Sequence, residues 1–282
     1  MITLTNEYLK VDISEIGAEI KNVEYNNEKY IWEGKKEIWN DSSPLLFPIC
    51  GGLKDDKCII EGKEYSIPKH GFVRRAKFEI ESFAKNTATF LFVSNEETKK
   101  MYPYDFELRV IYSLKEKSVV TEYAVKNNSG KNMYFSIGSH EAYFTPEGIE
   151  DYDIIFPEEE TLSATVVCGT LLSHNKIPII KNSTYLPLYD KYFLIDALVF
   201  ENIKSKSVKL RNRKTEKCIK VDFPNAQHLL LWHKPSSPFL CIEPWSGIPD
   251  KIGSSYDFSQ KEGIQVLEKD ETYITSHTFT IE

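Results

Sequence analysis

The sequence predicts an all-β protein, a large antiparallel β-sandwich or barrel with few short helices. Three observations carry that expectation: apolar and polar residues alternate in many short runs, turn signals separate the runs, and helical periodicity is poor. In chain order, Tyr65–Ile67 reads as a short strand and Thr87–Val93 as a longer one. Phe106, Leu108 and Val110 alternate with Glu107 and Arg109, and Val119–Lys126 and Met133–Ser139 follow. Val208 and Leu210 flank Lys209, while Ile219, Val221 and Phe223 flank Lys220 and Asp222. His228–Trp232 and Phe239–Glu243 complete the set. Between these runs lie Asn26-Asn27, Asn127-Asn128-Ser129-Gly130 and Pro146-Glu147-Gly148, all turn formers. Only Lys35–Trp39 and Glu96–Met101 have the spacing of a helical turn. With no composition break, linker or fixed-period repeat, residues 1–282 are expected to form one domain.

Composition narrows the function. The formal charge is −7 and acids alternate with bases, so a nucleic-acid partner is not expected. No run approaches the ~20 apolar residues of a membrane span, and the N-terminus lacks the pattern of a signal peptide. Five cysteines without CxxC spacing fit reduced thiols in a cytoplasmic protein. Phosphate loops, dinucleotide fingerprints, nucleophile elbows and His-x-His pairs are missing, so no metal and no organic cofactor is expected. Of 35 basic residues only five are Arg, and two of those, Arg74 and Arg75, are adjacent.

Four segments hold chemistry in unusual surroundings. In Pro68-Lys69-His70-Gly71-Phe72-Val73-Arg74-Arg75 a histidine sits in a rigid turn beside scarce arginines. It reads either as a site for an oxygen-rich ligand or as a solvated basic turn. Arg75 would point away from Arg74 if the chain is extended. His140, in Ser136-Ile137-Gly138-Ser139-His140-Glu141, shares a face with Ser136 and Gly138 and opposes Glu141. Those small residues leave room for a ligand, although a satisfied core histidine is equally open. Glu243 lies in the apolar run Phe239–Trp245, on one face with Phe239 and Cys241, with Pro244 expected to end the strand. Burial there would raise its pKa and suit a general base, unless a Lys pairs with it. Asp196 interrupts the apolar run Tyr192–Phe200 as a site carboxylate or a plain turn residue. His174, His228, His233 and His277 read as structural or exposed; the aromatics, Trp32, Trp39 and Trp232 included, read mostly as core, with some open to forming a stacking wall for a sugar ring.

Together these segments resemble the aldose 1-epimerase (galactose mutarotase-like) family, and its bacterial LacX-related branch most of all. The resemblance runs from Gly17-Ala18-Glu19-Ile20 through Tyr30-Ile31-Trp32 and Ser43–Gly51 to the His70, His140 and Glu243 segments. It implies a supersandwich fold with a sugar site on one sheet. It implies Glu243 and His140 as the catalytic pair, and His70, Arg74 and Asp196 as sugar ligands. One departure stands out. Galactose mutarotases proper carry an Asn-Arg pair upstream of the first histidine, where this chain reads Pro48-Ile49-Cys50-Gly51-Gly52-Leu53. Arg74 is the candidate replacement donor.

The expected partner is therefore a small aldose, and the protein itself a monomer or homodimer. The implied reaction interconverts α and β anomers through ring opening, with Glu243 as base and His140 as acid, kept charged by Glu243. Two rivals accompany it, a non-catalytic carbohydrate-binding protein and a metal enzyme using His70, His140 and Glu243, and one variant, an epimerase of a hexose 6-phosphate held by Arg74 and Arg75.

Overall fold

A computed structural model describes all 282 residues. It contains 23 strands, one four-residue α-helix at Glu96–Lys99 and five short 3-10 turns. The strands form one 15-stranded sheet, a four-stranded N-terminal sheet and two small ribbons, and every named strand pairs antiparallel. Alternation has its usual cause: Phe106–Lys115 and Ser118–Asn127 bury every second residue against the core and leave the others at the surface. The N-terminal sheet contributes Leu4, Val11, Ile13 and Val23 to the same 59-residue core as Phe90, Leu108, Val110 and Phe279. No helix is long and apolar enough to cross a membrane.

Several elements follow the sequence closely. Thr87–Val93 and His228–Trp232 have the expected bounds. The Asn26-Asn27 pair turns the chain with both residues at positive φ. Asn95 caps the Glu96 helix by accepting from the Glu97 and Thr98 amides. Other elements differ. Lys35–Trp39 is a bridged turn closed by Lys35 N–H to Trp39 O, not helix. Met133–Ser139 divides: Met133–Phe135 pairs with Gln265–Leu267 in a ribbon, and Gly138–Ser139 joins the large sheet. The largest unforeseen element is the hairpin of Tyr152–Cys168 and Leu171–Pro187, whose second strand is mostly exposed.

The strands around Phe239–Trp245 position the site. One face of this region, with Leu240, Ile242, Leu229, Leu231 and Tyr143, belongs to the main core. The other face carries two small apolar clusters, one around Leu46, Val199, Leu230 and Trp245, the other around Trp32, Ala142, Phe239 and Cys241. Between them the sheet is left open to a cleft.

Candidate active site

Strand register brings His140 and Glu243 together. Gly138 pairs with Trp245, and Glu141 pairs with Ile242, in the same register with no slip between them. Continuing that register sets His140 directly opposite Glu243, on one face of neighbouring antiparallel chains. The formal strand breaks at His140 because Pro244 has no N–H to offer the chain opposite. Pro244 does not end its own strand, which runs on to Trp245 and pairs Pro244 with Leu229 on its other side. His140 Nε2 stands 3.4 Å from Glu243 Oε2, with the glutamate 1% exposed.

Burial shapes the charges of this pair. It pushes Glu243 well above the ordinary carboxylate value, opposed by Lys69 and reinforced by Asp196. It pushes His140 down to about 3. The expectation that Glu243 keeps His140 charged is therefore not met: loss of water costs each charged form more than the neighbour returns. Burial thus favours the uncharged form of each partner. Trp39 stacks on the His140 ring at 5.2 Å, and Trp232 meets it edge-on. Both tryptophans line the cleft while packing against the small core cluster around Trp32 and Phe239, in which Trp32 is fully buried.

His70 reaches the same cleft from a strained turn. Gly71 N–H bonds Pro68 O at 2.8 Å, and His70 and Gly71 both take left-handed φ near 70°. A Cβ on Gly71 would lie 1.9 Å from Phe47 O, so only glycine fits. His70 N–H donates to Gly51 O, and Gly51 N–H donates back to His70 Nδ1 at 3.1 Å. Burial, with His140, Lys69 and Arg74 nearby, holds His70 well below the usual imidazole value. The neutral ring accepts at Nδ1, so its proton is on Nε2. The Cys50-Gly51 loop thus fixes the tautomer of His70, and Ser136 Oγ accepts from Cys50 N–H.

The small residues beside His140 serve packing rather than ligand space. A Cβ on Gly138 would lie 2.4 Å from the Trp245 ring, which occupies that room and donates Nε1–H to Ser139 O. Asp196 lies in the turn before Leu198–Glu201, as its turn reading has it, and also lines the cleft. Its Oδ1 accepts from Ala197 N–H at 2.7 Å. Val73–Arg75 is a 3-10 turn, not extended chain, so Arg74 and Arg75 do not diverge. Both turn toward Asp41, but only Arg74 lines the cleft.

The cleft holds about 290 Å³ and joins all five residues singled out from sequence: His70, Arg74, His140, Asp196 and Glu243. Sequence reasoning passed over Lys69 and Asp41, and left open which aromatics face the cleft; Trp39 and Trp232 do. Lys69 was inside the His70 segment and could have been read as cleft-facing, but nothing local marks Asp41. Buried Glu19 ties that region down, accepting from Ser42 N–H and Ser43 N–H. The remaining histidines are structural or exposed as expected: His228, His233 and His277 are buried, and His174 is surface. For metal ligation, the atoms that gather within 4.8 Å belong to His140, Cys241 and Glu243, with His70 outside that group. Burial raises the Cys241 thiol well above its usual value. All five cysteines are free thiols.

Comparison with known proteins bears on the family and the fold. The family described as aldose 1-epimerase matches residues 1–263. The plasmid-encoded protein LacX of Lactococcus lactis subsp. lactis is 35% identical, with 99% of each chain covered. A galactose mutarotase related enzyme from Lactobacillus acidophilus superposes with TM-score 0.93 at 32% identity, over 100% of this chain and 97% of that one. A galactose mutarotase-like protein from Lactobacillus casei gives 0.92 at 26% identity, covering 100% of both. By sequence and by fold, the chain belongs to the aldose 1-epimerase family.

Proposed function

We propose that the protein, acting as one domain, interconverts the α and β anomers of an aldose, with Glu243 and His140 as the proton-transfer pair. The observation that supports this most is the 3.4 Å approach of His140 Nε2 to Glu243 Oε2 at the floor of a cleft large enough for a sugar. Anomerisation needs one proton removed from the C1 hydroxyl and one delivered to the ring oxygen. The pair must therefore hold a single proton between its two members. Burial of the pair favours holding that proton on Glu243 before sugar enters. A sugar hydroxyl donating to Glu243, beside the charged Lys69, favours the carboxylate, and the proton passes to His140. Glu243 then takes the C1 proton while His140 protonates the ring oxygen. Rotation about C1–C2 and closure on the other face reverse the two roles. Each positioned transfer is worth roughly 10²–10⁴-fold.

The other cleft residues would keep the rest of the ring still. His70 has a free Nε2–H donor because Gly51 occupies Nδ1. Asp196 offers Oδ2 to a hydroxyl, Arg74 offers N–H donors, and Trp39 and Trp232 offer apolar faces. The scheme asks for no metal and no organic cofactor. Polarimetry on freshly dissolved α-glucose and α-galactose tests it: the protein should speed the decay of rotation. If calorimetry detects sugar binding while the rate stays spontaneous, the protein is a carbohydrate-binding module and the catalytic reading fails.

A further inference from the structure

One buried ion pair beside the cleft has no part in the chemistry above. Lys261 Nζ stands 2.7 Å from Asp250 Oδ1 and donates at the same distance to Ile248 O. Both residues are buried, and neither lines the cleft. Asp250 joins three segments. Its Oδ2 accepts from Lys54 N–H at 2.9 Å, its own N–H donates to Gly52 O at 3.0 Å, and its carbonyl accepts from Leu172 N–H at 2.9 Å. Those segments carry Gly51, Pro249 and Thr170 into the cleft. They also press on one another. A Cβ on Gly51 would lie 2.3 Å from Pro249 Cγ, and one on Gly52 would lie 2.7 Å from Thr170 Cβ.

A buried ion pair is a weak source of stability, because desolvation cancels most of its attraction and an apolar pair of similar volume is often as stable. What the charges add here is position. A carboxylate fixed by a lysine and a backbone N–H has one place to sit, whereas an apolar side chain can slide. Position matters most at Gly51. Its N–H reaches His70 Nδ1 at 3.1 Å, near the long end of the usual range, and a further shift of about 0.5 Å would end that hydrogen bond. We propose that Asp250 and Lys261 are positioning residues of the site: through Pro249 and Gly52 they hold Gly51 where its N–H occupies His70 Nδ1, and so aim the Nε2–H of His70 at the sugar. The kinetic consequence rests on the anomerase reading above; the hydrogen bond itself does not.

The test exchanges the ion pair for an apolar one, Asp250→Leu with Lys261→Met. Scalar coupling between the Gly51 and His70 nitrogens, carried by the N–H···Nδ1 bond and read by NMR on isotope-labelled protein, should be present in wild type. It should be lost in the apolar variant, whose melting temperature should stay close to that of wild type. Asp250→Asn, whose amide must turn a donor on Lys261 or on Lys54 N–H, should weaken the coupling, and it carries the test if the apolar variant fails to fold. On whichever of glucose and galactose wild type turns over faster, the apolar exchange should raise KM roughly tenfold, the worth of one hydrogen bond, with kcat little changed. In a His70→Ala background the same exchange should add almost nothing, since the pair acts through that ring. Coupling retained at full strength in a folded variant would overturn the proposal and leave the pair as scaffold. So would a KM penalty that persists undiminished without His70, or a loss confined to kcat, which would place the effect on the His140–Glu243 pair. If wild type accelerates neither sugar, the anomerase reading falls, and the coupling alone decides whether the ion pair sets the His70 bond.

Discussion

Two buried His–Glu pairs lie back to back on the same short stretch of chain. His140 faces the cleft toward Glu243, and Glu141, the next residue, faces the core toward His277. The inner pair is close and saturated. His277 Nε2 meets Glu141 Oε1 at 2.7 Å, and Tyr143 OH donates to Oε2 at 2.7 Å. The outer pair is longer, at 3.4 Å, and His140 Nδ1 finds no partner at all. Burial is similar, since all four side chains are nearly removed from water. What differs is the supply of hydrogen bonds. A buried carboxylate with two donors is part of the scaffold; one with a distant histidine and an open cleft retains the capacity to exchange protons.

Substitution of the two glutamates should separate these roles. Glu243→Gln keeps the shape and removes the proton exchange, so kcat/KM should fall about 10²–10⁴-fold, roughly 3–5 kcal/mol of barrier. Its melting temperature should hold or rise. With a folded pKa above the unfolded 4.5, Glu243 contributes stability below that value and loses it as pH rises toward the folded pKa. Glutamine has no such loss. Polarimetry beside thermal melts checks both halves, and wild-type activity in Glu243→Gln would end the assigned role. Glu141→Gln should do the reverse. Its amide turns a donor toward Tyr143 or His277, costing about 1–3 kcal/mol in urea unfolding, while kcat changes little. A large kcat loss at unchanged stability in Glu141→Gln would show that the inner pair also takes part in the chemistry.

The same contrast explains what could be read from sequence. Strands with one face in the core show period-two alternation, so Thr87–Val93 and Phe106–Lys115 were legible. The exposed strand Leu171–Pro187 buries few side chains, includes Pro178 and slips register against its partner, so it has no alternation to detect. Its hairpin nonetheless supplies Val167 and Thr170 to the cleft. Glu243 was legible because a lone acid in an apolar run is rare. The His140–Glu243 pairing was not derivable from local pattern, because it depends on a register set between segments a hundred residues apart. Asp41 was invisible for a related reason. Its meaning lies in Arg74 and Arg75, which a 3-10 turn, not an extended chain, brings to it. The resemblance to a family carried the site across those gaps.

Acidity offers a finer test of the outer pair. Catalysis needs the one-proton form of the His140–Glu243 dyad, and kcat/KM reports the free enzyme. The acid limb belongs to addition of a second proton, near the lowered His140 value of about 3. Between pH 8 and pH 5 the profile should therefore stay flat on the acid side, where an ordinary histidine would drop activity through about 6.5. A fall centred near 6.5 would mean that His140 is solvated and not the buried neutral ring described above.

The smallest expected effect concerns the alkaline limb, where the dyad loses its last proton and Glu243 sets the midpoint. Lys69 lowers Glu243, so Lys69→Met should move that limb to higher pH. Asp196 raises Glu243, so Asp196→Asn should move it lower. Both shifts are modest because burial, not either neighbour, dominates the pKa of Glu243. Their opposite signs make the measurement specific. General damage to the cleft would depress kcat/KM in both variants without moving the midpoints apart, and a uniform change in local charge screening would move them together. Profiles of both variants on the same sugar keep the substrate constant, so the Lys69→Met shift reports the field at Glu243. If both midpoints move the same way, some other group sets the alkaline limb and Glu243 is not the residue that loses the last proton.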